Sequence, residues 1–266
     1  MTPLRLRPTL LATLCVALAA APAAADPLGL RPLGGDWESA RTVGPGGIVI
    51  EAGAWAPQFA PLNPDDLSDD DWAVLARWQQ LPAWPSLRGI YGLADGNEAV
   101  AHLGPIVGGG YRRHFLRAEA PWGGEYLQAL IQLGGGFHLA SFRPMGYIRL
   151  PAIYERGAWT FHVGPGGYYL FNQQPVVEVN LGMEVRPWPQ LSLGGHLQSR
   201  MDAKKVTPMD GSWSFGGGVR YQLFEKWTLQ VEATQDSGPP MPAGTVLDPR
   251  IEFPLQAVRA SATYYW

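Results

Sequence analysis

The stretch QLSLGGHLQSR (190–200) brings His196 within three residues of Ser199. Acyl-chain hydrolysis needs a Ser–His pair whose imidazole is oriented by a carboxylate or amide. An odd separation puts His196 and Ser199 on opposite faces of a strand, and Ser192, which shares a face with His196, lies about 13 Å along it. Only a partner from a neighbouring strand would complete such a site. The other histidines, His102, His114, His138 and His162, fall on separate segments without metal-ligand spacing. The single cysteine, Cys15, lies in the first 25 residues. Three glycine triplets, Gly108–Gly110, Gly134–Gly136 and Gly216–Gly218, precede no helix start and no Gly-Lys-Ser/Thr, so they do not read as phosphate loops. Glycines inside strands instead permit curvature or close backbone approach. No catalytic set, metal or cofactor is expected, and lipid hydrolysis ranks last among the functional readings.

The remaining candidates are charges that recur at alternate positions. PVVEVNLGMEVRP sets Val177, Val179, Leu181, Met183 and Val185 against Glu178, Asn180, Glu184 and Arg186. SWSFGGGVRYQLF and KWTLQVEATQ divide in the same way, with Arg220 and Glu232 on their polar faces. Successive side chains of a strand point to opposite faces, so each segment has one greasy side and one polar side. Extended along the chain, this rule places Arg88, Arg112, Arg149, Arg186, Arg200, Arg220 and Arg259 on polar faces with Glu98, Glu178, Glu184 and Glu232.

A soluble sandwich also alternates, burying its apolar face. Three features favour a barrel in a membrane. The segments run near the 9–11 residues a tilted spanning strand needs. Aromatics sit near segment ends (Trp159, Phe171, Trp213, Trp227, Trp266), as interfacial girdles do. Short connections (94–97, 186–190, 224–226) are set against long ones (57–84, 201–211, 237–252), and Asp95-Gly96 is a strong hairpin signal. The segments are 46–56, 85–94, 98–104, 106–116, 125–139, 146–155, 158–171, 175–187, 190–200, 212–223, 226–235 and 255–266. The expectation is a closed antiparallel transmembrane β-barrel of about twelve strands; merging 98–116 into one strand would leave ten by parity.

The first residues read differently. Arg5 and Arg7, an apolar run from Leu10 to Ala20, and small residues Ala23–Ala25 have the order of a secretory signal. Cleavage after Ala25 is expected, taking the net charge from −3 to −5 and leaving no nucleic-acid footprint. The organisation is then a signal peptide (1–25), a Pro/Gly-rich periplasmic lead (26–45) and a barrel (46–266). The mature chain offers no apolar run long enough for a spanning helix.

The last residues, VRASATYYW, put Val258, Ala260, Ala262, Tyr264 and Trp266 on one face and Arg259, Ser261, Thr263 and Tyr265 on the other. This ending resembles the terminal strand of bacterial outer-membrane β-barrel proteins. LRGIYGLADGNEAVAHLG (87–104) is similar to a hairpin found in several outer-membrane families. The resemblance implies that Tyr264 and Trp266 are read by the machinery that inserts barrels into the outer membrane, and that outer-membrane lipids surround the protein.

Within 57–84, LSDDDWAVLARWQQL reads as a short helix. Ser68 is its N-cap, three aspartates occupy its first turn, and Trp72, Leu75 and Trp78 form an apolar stripe for the barrel rim or a docking partner. The expected function is non-enzymatic and of two classes. One is a structural or envelope-assembly component with another envelope protein as partner. The other is a small passive channel for polar or anionic solutes. The inward Arg/Glu ladder tips the reading toward the first.

Overall fold

The period-two segments pair into one closed sheet. The computed structural model describes residues 40–58, 68–119, 125–139, 142–172, 175–203, 212–237 and 256–266. The signal peptide, the lead up to residue 39 and most of the long connections 57–84, 201–211 and 237–252 lie outside the described residues. The elements are β1 (Ile48–Gln58), α1 (Asp69–Trp78), β2 (Trp84–Ala94), β3 (Asn97–Leu103), β4 (Ile106–Glu119), β5 (Glu125–His138), β6 (Arg143–Arg149), β7 (Ala152–Arg156), β8 (Trp159–Leu170), β9 (Val176–Trp188), β10 (Leu191–Asp202), β11 (Ser212–Phe224), β12 (Trp227–Ser237) and β13 (Gln256–Tyr265). Sequence neighbours pair antiparallel, and β1 pairs with both β2 and β13, which closes the sheet on itself. Reciprocal Ile48–Trp266 backbone bonds of 2.8 and 3.3 Å complete the seam. Closure matters because an open edge in hydrocarbon would leave unpaired N–H and C=O groups.

β6 and β7 are one spanning strand, the expected segment 146–155, broken at Leu150-Pro151. Partner numbering on β5 steps from Gln132↔Arg149 to Ala129↔Ala152 without a slip, and β8 continues the same way. Pro151 has no N–H to give to the ladder. Twelve strands therefore span, and 98–116 is two of them, separated at Gly104-Pro105. The turns at 95–96, 157–158, 189–190 and 225–226 lie at the end that holds the β1–β13 seam; Gly96 and Gly157 there have φ of 72° and 58°. The separation of long from short connections is less clean than the sequence implied. The opposite end carries 59–83, 203–211 and 238–255, but also the short links 104–105, 139–142 and 171–175.

Outward positions carry large apolar side chains: Leu181 and Met183 on β9, Leu193 and Leu197 on β10, Val219 and Tyr221 on β11, Leu229 and Val231 on β12 are all exposed. An apolar belt this continuous is what hydrocarbon covers, and it far exceeds the patches a soluble monomer shows water. Aromatics mark its margin at the seam end, where Trp227 lies 4.7 Å from Tyr264 and Tyr264 lies 6.3 Å from Trp266 between ring centroids.

One expectation is corrected in part. α1 forms after Ser68 as the sequence suggests, but its buried residues are Val74 and Leu75, whereas Trp72 is 44 % exposed; nothing is described of the Trp78 side chain. On the same helix the Arg77 guanidinium covers the Phe142 ring at 4.5 Å. An indole near a bilayer surface is stable half wet, so Trp72 need not face the protein. Of the lead, residues 40–45 are described, and Ala40 lies within the lumen against Leu130 and Ile153.

Candidate functional site in the barrel lumen

An eight-stranded barrel is just filled by its own side chains, while sixteen strands leave an aqueous channel. Twelve strands fall between, so the inward residue types decide. Here they divide the lumen into a filled half and a hollow half.

The filled half lies at the short-turn end. Glu98 of β3 meets Arg112 Nη1 at 3.4 Å and His114 Nε2 at 3.6 Å on β4. Glu184 of β9 meets Arg220 Nη1 at 3.0 Å on β11 and His162 Nε2 at 3.4 Å on β8. Arg220 Nε donates to Gln230 of β12 at 3.0 Å. Leu130 and Gln132 are fully enclosed, and Glu98 and Arg112 are each 1 % exposed. Charges this deep persist only when paired and hydrogen-bonded.

The hollow half lies toward the longer loops and holds a cavity of about 190 Å³. Gly108, Gly109 and Gly110 of β4 stand directly opposite Gly136, Gly135 and Gly134 of β5. The Tyr147 ring of β6 lies on this bare wall: a Cβ at Gly134 would sit 2.3 Å from its Cζ. The Tyr147 hydroxyl reaches His102 Nε2 at 3.1 Å and accepts from Gln132 Nε2 at 3.3 Å. Above it a polar ladder crosses four strands. Arg149 lies 5.1 Å over the Tyr147 ring and donates to Glu178 at 2.6 Å; Gln198 donates to Glu178 at 3.0 Å, and Arg200 donates to Gln198 at 3.0 Å. Across the cavity, Arg259 of β13 is 3.8 Å from Glu232 of β12, and Glu51 stands opposite Arg88 in register. Four arginines (Arg88, Arg149, Arg200, Arg259) and two glutamates (Glu51, Glu178) line this space.

The structure thus brings Arg88, Arg149, Glu178, Arg200 and Arg259 together in the cavity wall, with Glu232 beside them. It gathers Glu98, Arg112, Glu184 and Arg220 in the packing below, and leaves Arg186 half-buried near the short-turn rim. His196 and Gln198 line the cavity while Ser199 does not, as expected from the odd spacing. Among the described residues no group of three His, Cys, Asp or Glu side chains could hold a metal ion. Sequence reasoning missed Glu51, Glu155, Tyr147 and Arg41. The first three carried a signal, each standing on the alternate face of its segment; Arg41 belongs to no strand and carried none.

A closed antiparallel barrel, apolar outside and charged within, is a transmembrane β-barrel of the outer-membrane type. No protein-family model matches the sequence, and no curated protein matches it. Solved structures do. The KdgM porin aligns at 8 % identity and a TM-score of 0.49, over 81 % of this chain and 98 % of the porin. The KdgM porin in complex with disordered oligogalacturonate aligns at 9 % identity and 0.49, over 82 % and 98 %. An outer membrane channel from Pseudomonas putida F1 aligns at 12 % identity and 0.49, over 85 % and 97 %.

Proposed function

We propose that this protein is a passive outer-membrane channel for small polar solutes, with a preference for anions. The observation that carries this reading is the hollow half-lumen, lined by four arginines against two glutamates. Fixed cationic groups along a narrow path lower the barrier for anions. The ladder Tyr147–Arg149–Glu178–Gln198–Arg200 also holds its members in place, as a selective wall requires. In planar bilayers under a salt gradient, the reversal potential is expected to have the sign of anion selectivity. The Arg88→Gln/Arg200→Gln double variant is expected to cut the anion preference by about twofold or more. A folded barrel with no conductance would sink the proposal.

The filled half supports the second reading, a structural or assembly component whose loops, with α1 and its exposed Trp72, bind another envelope protein. A silent barrel that crosslinks through α1 would favour it. Under either reading we assign residues 1–25 to a cleaved signal and Tyr264 and Trp266 to recognition by the barrel-assembly machinery. Trp266 is 75 % exposed, and its backbone, not its indole, closes the seam. Trp266→Ala is therefore expected to refold normally into detergent while losing most of its assembly in cells, read as heat-modifiable gel mobility. An equal loss in both settings would assign the indole a purely structural role.

A further inference from the structure

The chain enters β1 through the turn Val43-Gly44-Pro45-Gly46-Gly47. Gly44 and Gly46 have φ of 80° and 75°, a conformation side chains rarely adopt. Gly47 N donates to Gly44 O at 3.2 Å, Gly46 N to Gly92 O at 2.8 Å and Gly92 N to Gly47 O at 2.9 Å. These bonds pin the turn to β2, and the residues before it fold back into the barrel. Val43 packs on the inward cluster of Val49, Ile90, Val100 and Tyr265. Its N–H donates to Glu98 at 2.6 Å, and the Thr42 hydroxyl donates to the same oxygen at 3.0 Å. Arg41 places two nitrogens on Glu155 Oε1 of β7, at 2.7 and 3.0 Å, and its carbonyl accepts from Arg112 at 3.0 Å. Ala40, 1 % exposed, packs against Leu130 and Ile153.

A four-residue strap thus runs from the β2 side across β3, β4 and β5 to β7, within the filled half. The barrel does not need it. β1 begins at Ile48 and pairs with β2 from Ile48 to Trp55 and with β13 from Val49 to Gln58 without it. Its holds are bonds to side chains and two apolar contacts, at Val43 and Ala40, with no rung of the barrel ladder among them. Its counterions belong to the wall and stay behind if it leaves.

We propose that residues 40–43 are a gating strap: they close the short-turn end of the lumen, and their withdrawal opens the path that begins in the arginine-lined cavity. The proposal rests on the channel reading for what passes, but its geometry can be tested separately. Thr160 of β8 is buried, inward-facing and register-paired with Glu155, the Arg41 anchor. The full chain carrying Cys15→Ser and Thr160→Cys supplies a thiol beneath the strap. Its modification by a small anionic methanethiosulfonate is followed with and without Arg41→Ala/Thr42→Ala, alongside single-channel conductance. The strap variant is expected to react about tenfold faster, as loss of one charge-assisted bond predicts, and to conduct in steps severalfold larger or more frequent. Unchanged reactivity and unchanged conductance in a folded variant would overturn the strap while leaving the channel standing. Faster reaction with no conductance in either protein would uphold the strap and sink the channel. Should the double variant fail to fold, Arg41→Gln gives the same readouts with the strap backbone intact.

Discussion

Gly108→Val is expected to prevent stable closure of the barrel, whereas Gly89→Ala is expected to leave stability within about 0.5 kcal/mol of the parent. The two sites differ in what a side chain would meet. At Gly108 a Cβ would lie 2.2 Å from Gly135 O and 2.6 Å from Gly136 Cα, backbone atoms of the paired strand that no rotamer change can move. Gly136 is hemmed in reciprocally by Val107 O at 2.4 Å, so β4 and β5 must part to admit any substituent. At Gly89 the nearest atom is Val49 O at 3.8 Å, an ordinary contact. Overpacking a well-packed site costs about 1–3 kcal/mol. A branched side chain that also breaks ladder bonds belongs at or beyond the top of that range. The check is the urea midpoint in lipid vesicles, with the slope compared to confirm that the same transition is seen. Equal midpoints for the two variants would mean that the glycine wall is spacing rather than contact.

This wall shows what a sequence of this kind discloses. Alternation alone placed the greasy and polar faces correctly, because a one-residue error would turn every charge toward lipid. It yielded the strand count for the same reason. The triplets were visible too, but their meaning was not: Gly108–Gly110 and Gly134–Gly136 form one bare wall only because the register sets them face to face, and register depends on bulges such as that between His114 and Leu116. The seat of Tyr147 in the cavity wall follows from that pairing, which has no linear signature. The strap was illegible for a different reason. ARTVGPGG has no period, and its placement comes from Glu98 and Glu155, strand residues more than fifty positions away in sequence. Of the stripe Trp72, Leu75 and Trp78, Leu75 is buried and Trp72 is exposed, because burial is a poor guide to tryptophan beside a membrane, where half-exposure is stable.

Glu184→Gln is expected to destabilise the barrel by about 3–5 kcal/mol, the cost of breaking a buried ion pair from one side. Glu184 is 3 % exposed and receives Arg220 at 3.0 Å; Arg220 also donates to the neutral Gln230 at 3.0 Å. Replacing both residues, as Glu184→Leu/Arg220→Met, is expected to recover most of the loss, since apolar groups of similar volume often substitute for a buried pair at little net cost. The coupling free energy from the double-mutant cycle, taken from urea midpoints, isolates the pair from its surroundings. The result bears directly on function. A loss below about 1 kcal/mol for Glu184→Gln is the value of a solvated pair, and it would mean that water already reaches this depth and that the lumen is wet from end to end. A large loss with apolar rescue would mean that the short-turn half is a dry plug of mutually neutralised charges. On the proposed channel reading, conduction then requires displacement of something that can leave, and in this barrel the strap at residues 40–43 is held by bonds to side chains while the wall around it is held by the ladder.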